Sequence, residues 1–290
     1  MELVVTLRNT KNIDKYKNLC SGFIVGSQFA SGYNYTSTDI VVINKYCKTN
    51  NIKIFVEISN FISEDDIEAL TKYITFINDL KVDGIYFHDF GVYAIARQNG
   101  FGGELTYDGQ TVLCNSFDVA FYLKNGFDGV VLSRELTLDE IQNISIVNRN
   151  RCDVLAFGHA RLSYSKRNFL TNYFKQINRD YNYYNNDNLR IVEEQRNYRM
   201  PIIEDNDGTK IYTDYVVQMY NEIPKIRPFV RRGIIDTLFI NDDRIVSVLR
   251  DYRRLTKENA SFLLDSLKQN YQDSYSTGFL YQKTNIIKDE

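Results

Sequence analysis

Tryptophan is absent from the 290 residues, histidine occurs twice and cysteine four times, and each scarcity narrows the chemistry available. Cys20, Cys47, Cys114 and Cys152 form no CxxC pair and no Cys/His spacing of a zinc module, so they read as scattered thiols. An excess of one charge is missing too: 35 Lys and Arg stand against 37 Asp and Glu, a formal net charge of −2. That balance excludes the overall basicity of a general nucleic-acid binder and leaves only a local basic patch open. No apolar run reaches the roughly 18 residues of a membrane span. The opening MELVVTLRNT lacks the basic start and apolar stretch of a secretion signal. A cytoplasmic protein without membrane association is expected. GxGxxG, Walker A, HExxH and GxSxG are also absent, which removes the usual sequence signs of nucleotide binding, zinc proteolysis and serine catalysis.

What the chain does have is rhythm. ELVVTLR (2–8), GFIVG (22–26), NIKIFVEI (51–58), DGIYF (83–87), QTVLCN (110–115), DGVVLS (128–133), CDVLAFG (152–158) and IIDTLFIN (234–241) are short apolar bursts, most followed by a segment at helical spacing. SEDDIEALTKYITFINDL is the clearest helix, with Ser63, Asp65 and Asp66 as start signals. GFGGELTYDG reads as a loop or small hairpin before the fifth strand. TDYVVQMYNEIPKIRPFVRRG reads as a helix interrupted near Pro224 and Pro228. Eight strand and helix units favour an α/β fold, a TIM-type (β/α)8 barrel with room for distortion, over an open Rossmann sheet. The barrel domain is expected to span 1–260, with an irregular insertion at 180–213 before the last strand and a C-terminal extension at 261–290.

In such a barrel the residues just after the strands converge at one rim. Glu57, His88, Asp89 and Arg134 are the catalytic candidates: Glu57 or His88 to activate water, Asp89 to orient the base, Arg134 or Arg161 to meet a developing oxyanion. Asn115, Glu135, His159, Arg161, Tyr164 and Arg167 are the substrate-binding candidates, with Arg161, Lys166 and Arg167 as an anion-binding surface. His88, His159, Asp89, Glu57 and Glu135 have the donor types for a divalent metal, but their spacing does not establish one and Arg161 would oppose it, so no metal or other cofactor is expected. Cys152 falls at the start of its strand, away from the rim, and Cys114 is expected in the barrel core. Phe169, Tyr173 and Phe174 are expected on the buried side of a helix.

KVDGIYFHDFGVYAIAR, TVLCNSFDVAFYLKNGFDGVVLSRELTLDEI and GHARLSYSKRNFLTNYF together resemble the collagenase-like peptidase family of unknown catalytic type, peptidase family U-thirty-two. A weaker likeness continues through RRGIIDTLFINDDRIVSVLRDYR, and the whole covers roughly residues 1–260. The resemblance implies a barrel and a peptidase-like hydrolase acting on a peptide or small anionic substrate. Other members of the family assist oxygen-independent hydroxylation in RNA modification or quinone synthesis, so it also allows an RNA-associated relative, and beside these stands a small-molecule enzyme that binds a carboxylate. Oligomerisation with copies of itself is left open. Several members hold an iron–sulfur cluster on four cysteines, and this chain departs from their pattern: Arg161 and Asn168 stand where two of those cysteines would be, and none of its four cysteines matches the rest. The family's cluster is therefore not expected.

Overall fold

Short β-branched runs alternate with capped helices from the first residues onward. The computed structural model describes residues 1–32 and 35–282. In order come β1 (Glu2–Leu7), α1 (Ile13–Tyr16), β2 (Gly22–Gly26), α2 (Ser37–Thr49), β3 (Lys53–Ile58), α3 (Ile67–Asp79), β4 (Gly84–Phe87), α4 (Phe90–Gln98), β5 (Glu104–Asp108), α5 (Ser116–Lys124), β6 (Gly129–Val131), α6 (Leu138–Val147) and β7 (Cys152–Gly158). An excursion follows: β8 (Arg161–Ser165), α7 (Phe169–Gln176), β9 (Arg190–Glu193), β10 (Arg196–Asp205), β11 (Gly208–Tyr212), β12 (Val216–Gln218) and α8 (Ile223–Ile226). The chain then returns with β13 (Arg232–Ile235), α9 (Asp242–Arg254), α10 (Ala260–Asn270) and β14 (Tyr275–Ser276).

The parallel strands β1 to β7 pair in sequence order, and β13 lies between β7 and β1, closing an eight-stranded barrel with the helices outside. This is the TIM-type α/β barrel. Closure needs a near approach at the last seam. There Gly158 has φ +139°, and a Cβ on it would sit 2.7 Å from the Cβ of Asp236, so no other residue fits without a shift.

Three expectations are corrected. The fifth strand is Glu104–Asp108, and 110–115 is the loop after it, where Leu113 is buried as a plug and Cys114 is exposed. The insertion is not irregular: β8, β11, β10 and β9 form an antiparallel sheet beside the barrel, with the tight turn at Gly208 (φ +111°). The stretch read as an interrupted helix begins as β12, which pairs antiparallel with β7 and parallel with β14.

Alternation along the strands sorts the barrel interior into layers. Val4, Ile24, Phe55, Tyr86, Val131 and Ile234 form the apolar middle. Below them, at the N-terminal ends of the strands, lies a charged foot. Arg231 grips Asp153 through two N–H bonds of 2.7 and 2.8 Å, and Arg232 donates to Glu104 at 2.7 Å and to Glu2 at 3.1 Å. The Tyr86 hydroxyl donates to Asp153 at 2.6 Å, and the Arg232 guanidinium stacks on Phe55. Two residues above the apolar middle lies the mouth.

Candidate functional site

A cavity of about 70 Å³ opens at the C-terminal ends of the strands, the end where TIM barrels carry their chemistry. Thr6, Arg8, Glu57, Ser59, His88, Asp108, Gln110, Arg134, His159 and Asp236 line it from the barrel, and Arg161 and Tyr212 reach it from the insertion sheet. The same two-residue step that puts Phe55 and Tyr86 in the apolar layer puts Glu57 and His88 here.

Among these groups one cluster is tightly built. The Gln110 carboxamide donates to Asp108 Oδ2 (2.9 Å) and its nitrogen lies 3.1 Å from His88 Nε2, while its oxygen accepts from Arg134. His88 Nε2 also stands 3.5 Å from Asp108 Oδ2, which leaves the other ring nitrogen, Nδ1, turned away from the cluster. That nitrogen is buried without a hydrogen-bond partner, as is Arg134 Nε. Gln110 holds this pose from a left-handed backbone at φ +59°, which costs a non-glycine residue about 1 kcal/mol or more. Burial pushes the Asp108 carboxyl up, but Arg134 (3.4 Å), His88 (3.5 Å) and the Gln110 backbone N–H outweigh it and hold it well below the carboxylate range. Asp108 is thus an anion committed to its neighbours.

Glu57 differs. It is half-buried in the same cavity, and its carboxylate makes no hydrogen bond or ion pair among the described residues. Across the mouth, Asp236 accepts from Thr6 (2.9 Å) and pairs with Arg8 (3.5 Å). His159 is bonded through Nδ1 to the Thr213 carbonyl at 2.7 Å, and its ring meets Phe239 edge-on. Burial lowers its pKa and the Thr213 carbonyl works the other way, so the ring is held neutral.

The structure therefore brings together Glu57, His88, Arg134, His159 and Arg161. It places the other candidates elsewhere. Asp89 caps α4, accepting from the Gly91 and Ile62 N–H groups, and the carboxylate against His88 is Asp108. Asn115 caps α5 through the Phe117 and Asp118 N–H groups. Glu135 is exposed on the loop after β6. Tyr164 donates to Asp207 within the insertion, and its hydroxyl is pushed up by burial and then by that carboxylate. Arg167 is exposed in the turn between β8 and α7. Asp108, Gln110, Asp236 and Tyr212 are additions that the sequence reading missed. Correct placement of β5 would have found one of them, since Asp108 continues the inward series Glu104, Thr106.

An iron–sulfur cluster does not fit the residues present. Arg161 lies over the Tyr164 ring, and neither it nor Asn168 supplies a thiolate. Cys20, Cys47 and Cys152 sit at the β1–β2 connection, in α2 and at the foot of β7, and burial pushes each thiol up to about 12. Among the described residues no group of three His, Cys, Asp or Glu side chains could hold a metal ion, and no helix is long and apolar enough to cross a membrane.

Known proteins resemble the chain, two of the following over most of its length. The tRNA hydroxylation protein P2 of Bacillus subtilis is 23% identical over 263 residues, 87% of this chain and 84% of that protein. An uncharacterized protease of Methanocaldococcus jannaschii is 25% identical over 281 residues, 90% of this chain and 67% of that one. A collagenase of Porphyromonas gingivalis is 28% identical over 124 residues, 42% of this chain and 29% of that one. The description of peptidase family U32 matches residues 27–290, and the chain belongs to that family.

Proposed function

We propose that the barrel mouth is a hydrolytic site for a peptide bond in a small or anionic substrate. The observation that carries this is Glu57, a carboxylate without a partner in a cavity whose other acids are engaged. His88 Nε2 is turned into the cluster, against Gln110 at 3.1 Å and Asp108 at 3.5 Å, so Glu57 is the base and His88 a positioning residue. Glu57 takes a proton from water as the oxygen attacks the carbonyl carbon. Arg134 and Arg161 face the oxyanion that forms, and Glu57 returns the proton to the amine as the C–N bond breaks. Kinship to proteins named protease and collagenase supports the same reading. Mass-spectrometric assay of a peptide mixture with purified protein tests it. Glu57→Gln is expected to lower cleavage by roughly 10²- to 10⁴-fold and Arg134→Lys by about 10²-fold. Undiminished cleavage in Glu57→Gln would overturn the assignment.

A second reading has its own observation. Helix α7 buries none of its residues, contrary to the expected apolar packing, and leaves Phe169 and Tyr173 exposed near Lys166, Arg167 and Lys175. Aromatic faces among cations suit stacking on single-stranded RNA, and one relative is named for tRNA hydroxylation. Filter binding to unfractionated tRNA should then weaken with salt and in a Phe169→Ala, Tyr173→Ala double variant. Equal retention by wild type and variant would remove this reading.

A further inference from the structure

A second cavity, of about 50 Å³, adjoins the mouth and is unlike it in kind. Leu132, Leu136, Val154, Val217, Met219 and Leu280 make it apolar. The two cavities share Gln110, Arg134, Leu155 and Arg161, so one molecule can reach into both. Two of its polar wall groups are turned to the backbone: Ser133 Oγ accepts from the Glu135 N–H, and the Thr213 hydroxyl accepts from Ala160 N–H while donating to the Tyr215 carbonyl. Arg134 and Arg161 stand at the end shared with the mouth. One side is formed by the tail. Strand β14 pairs with β12, the Leu280 carbonyl accepts from Leu138 N–H at 2.9 Å, and the Tyr281 hydroxyl donates to Glu222 at 2.7 Å, which fixes Thr277–Leu280 across the opening.

We propose that this chamber is the subsite for the side chain next to the scissile carbonyl, and that it selects a short aliphatic one. The inference rests on the hydrolytic reading of the mouth and names its substrate class: peptides with alanine or valine on the acyl side of the cut. The carbonyl lies at Arg134, which both cavities share, and the adjoining side chain enters the apolar chamber. A charged or amide side chain is rejected because the inner wall of Leu132, Leu136, Val154, Val217, Met219 and Leu280 side chains cannot hydrogen-bond it. An aromatic ring is rejected by size, since a cavity of about 150 Å³ is what holds benzene.

The test uses acetyl-Gly-Xaa-Gly amides with Xaa as Gly, Val, Phe or Asp for cleavage, and acetyl-Gly and acetyl-Val acids for binding by titration calorimetry. Val is expected to exceed Gly, Phe and Asp by roughly tenfold in both readouts. Val217→Phe, which fills the chamber from β12, should erase the advantage over Gly. If that variant does not fold, Phe279→Ala on the strap should widen the chamber and raise Phe relative to Val. Tighter binding of acetyl-Val without cleavage of any peptide would keep the subsite and remove the hydrolysis. Cleavage that depends on Glu57 but ignores Xaa would keep the hydrolysis and overturn the subsite. Neither cleavage nor acetyl-Val binding would overturn both.

Discussion

The foot and the mouth of this barrel are both rich in charge, yet they treat it in opposite ways. At the foot no buried side-chain atom of Arg231, Arg232, Asp153 or Tyr86 lacks a partner among the described residues. At the mouth, Arg134 Nε and His88 Nδ1 are buried without one, and Glu57 stands alone. The foot's charges are consumed in tying strands together. The mouth keeps some of its capacity for a molecule that is not part of the chain.

Stability measurements can break that contrast. Asp153→Ala leaves Arg231 charged and buried, and should cost about 3–5 kcal/mol in urea unfolding; a loss under about 1 kcal/mol would show that the foot is not a clamp. Asp108→Asn, within the mouth's one built cluster, should cost less, about 1–3 kcal/mol near neutral pH. The Asp108 pKa is depressed, so its contribution is present above the unfolded value of about 3.9 and is lost as pH falls through the folded one. The gap between wild type and Asp108→Asn should accordingly close in acid. His159 titrates the other way from a typical paired histidine. Its folded pKa is lowered, so stability is complete above about 6.5 and declines as pH falls below that, and His159→Gln should flatten this slope in melts between about pH 7.5 and pH 5.5. Smallest of all is Glu57→Gln, which should move the melting temperature hardly at all, because no partner is lost. A large destabilisation there would place Glu57 with the foot.

The eight-strand rhythm was legible because most barrel strands are buried on both faces and read as continuous apolar runs, GFIVG and CDVLAFG above all. β5 was missed for a reason that belongs to the site. Its inward series Glu104, Thr106, Asp108 is polar because it supplies both the foot and the mouth, while the apolar residues of QTVLCN mark a plugging loop. Glu57, His88 and Arg134 could be found from their place after strands. Gln110 could not, since its role depends on a left-handed backbone that no sequence pattern announces. The insertion sheet was hidden because β9 leaves all four of its residues in solvent and β8 buries none of its five, so both lack the alternation that marks a half-buried strand. Its one clear sequence mark is the turn-forming EDNDG between β10 and β11.

The closing seam also sets a schedule. Glu2 pairs with Arg232, 230 positions along the chain. During synthesis β1 must therefore wait, with one edge bare, while the intervening barrel strands and the whole insertion are produced. Contacts of such sequence separation form slowly, and an open strand edge invites pairing with other chains. β1 is the first of the barrel strands to be made and among the last of them to be fully paired.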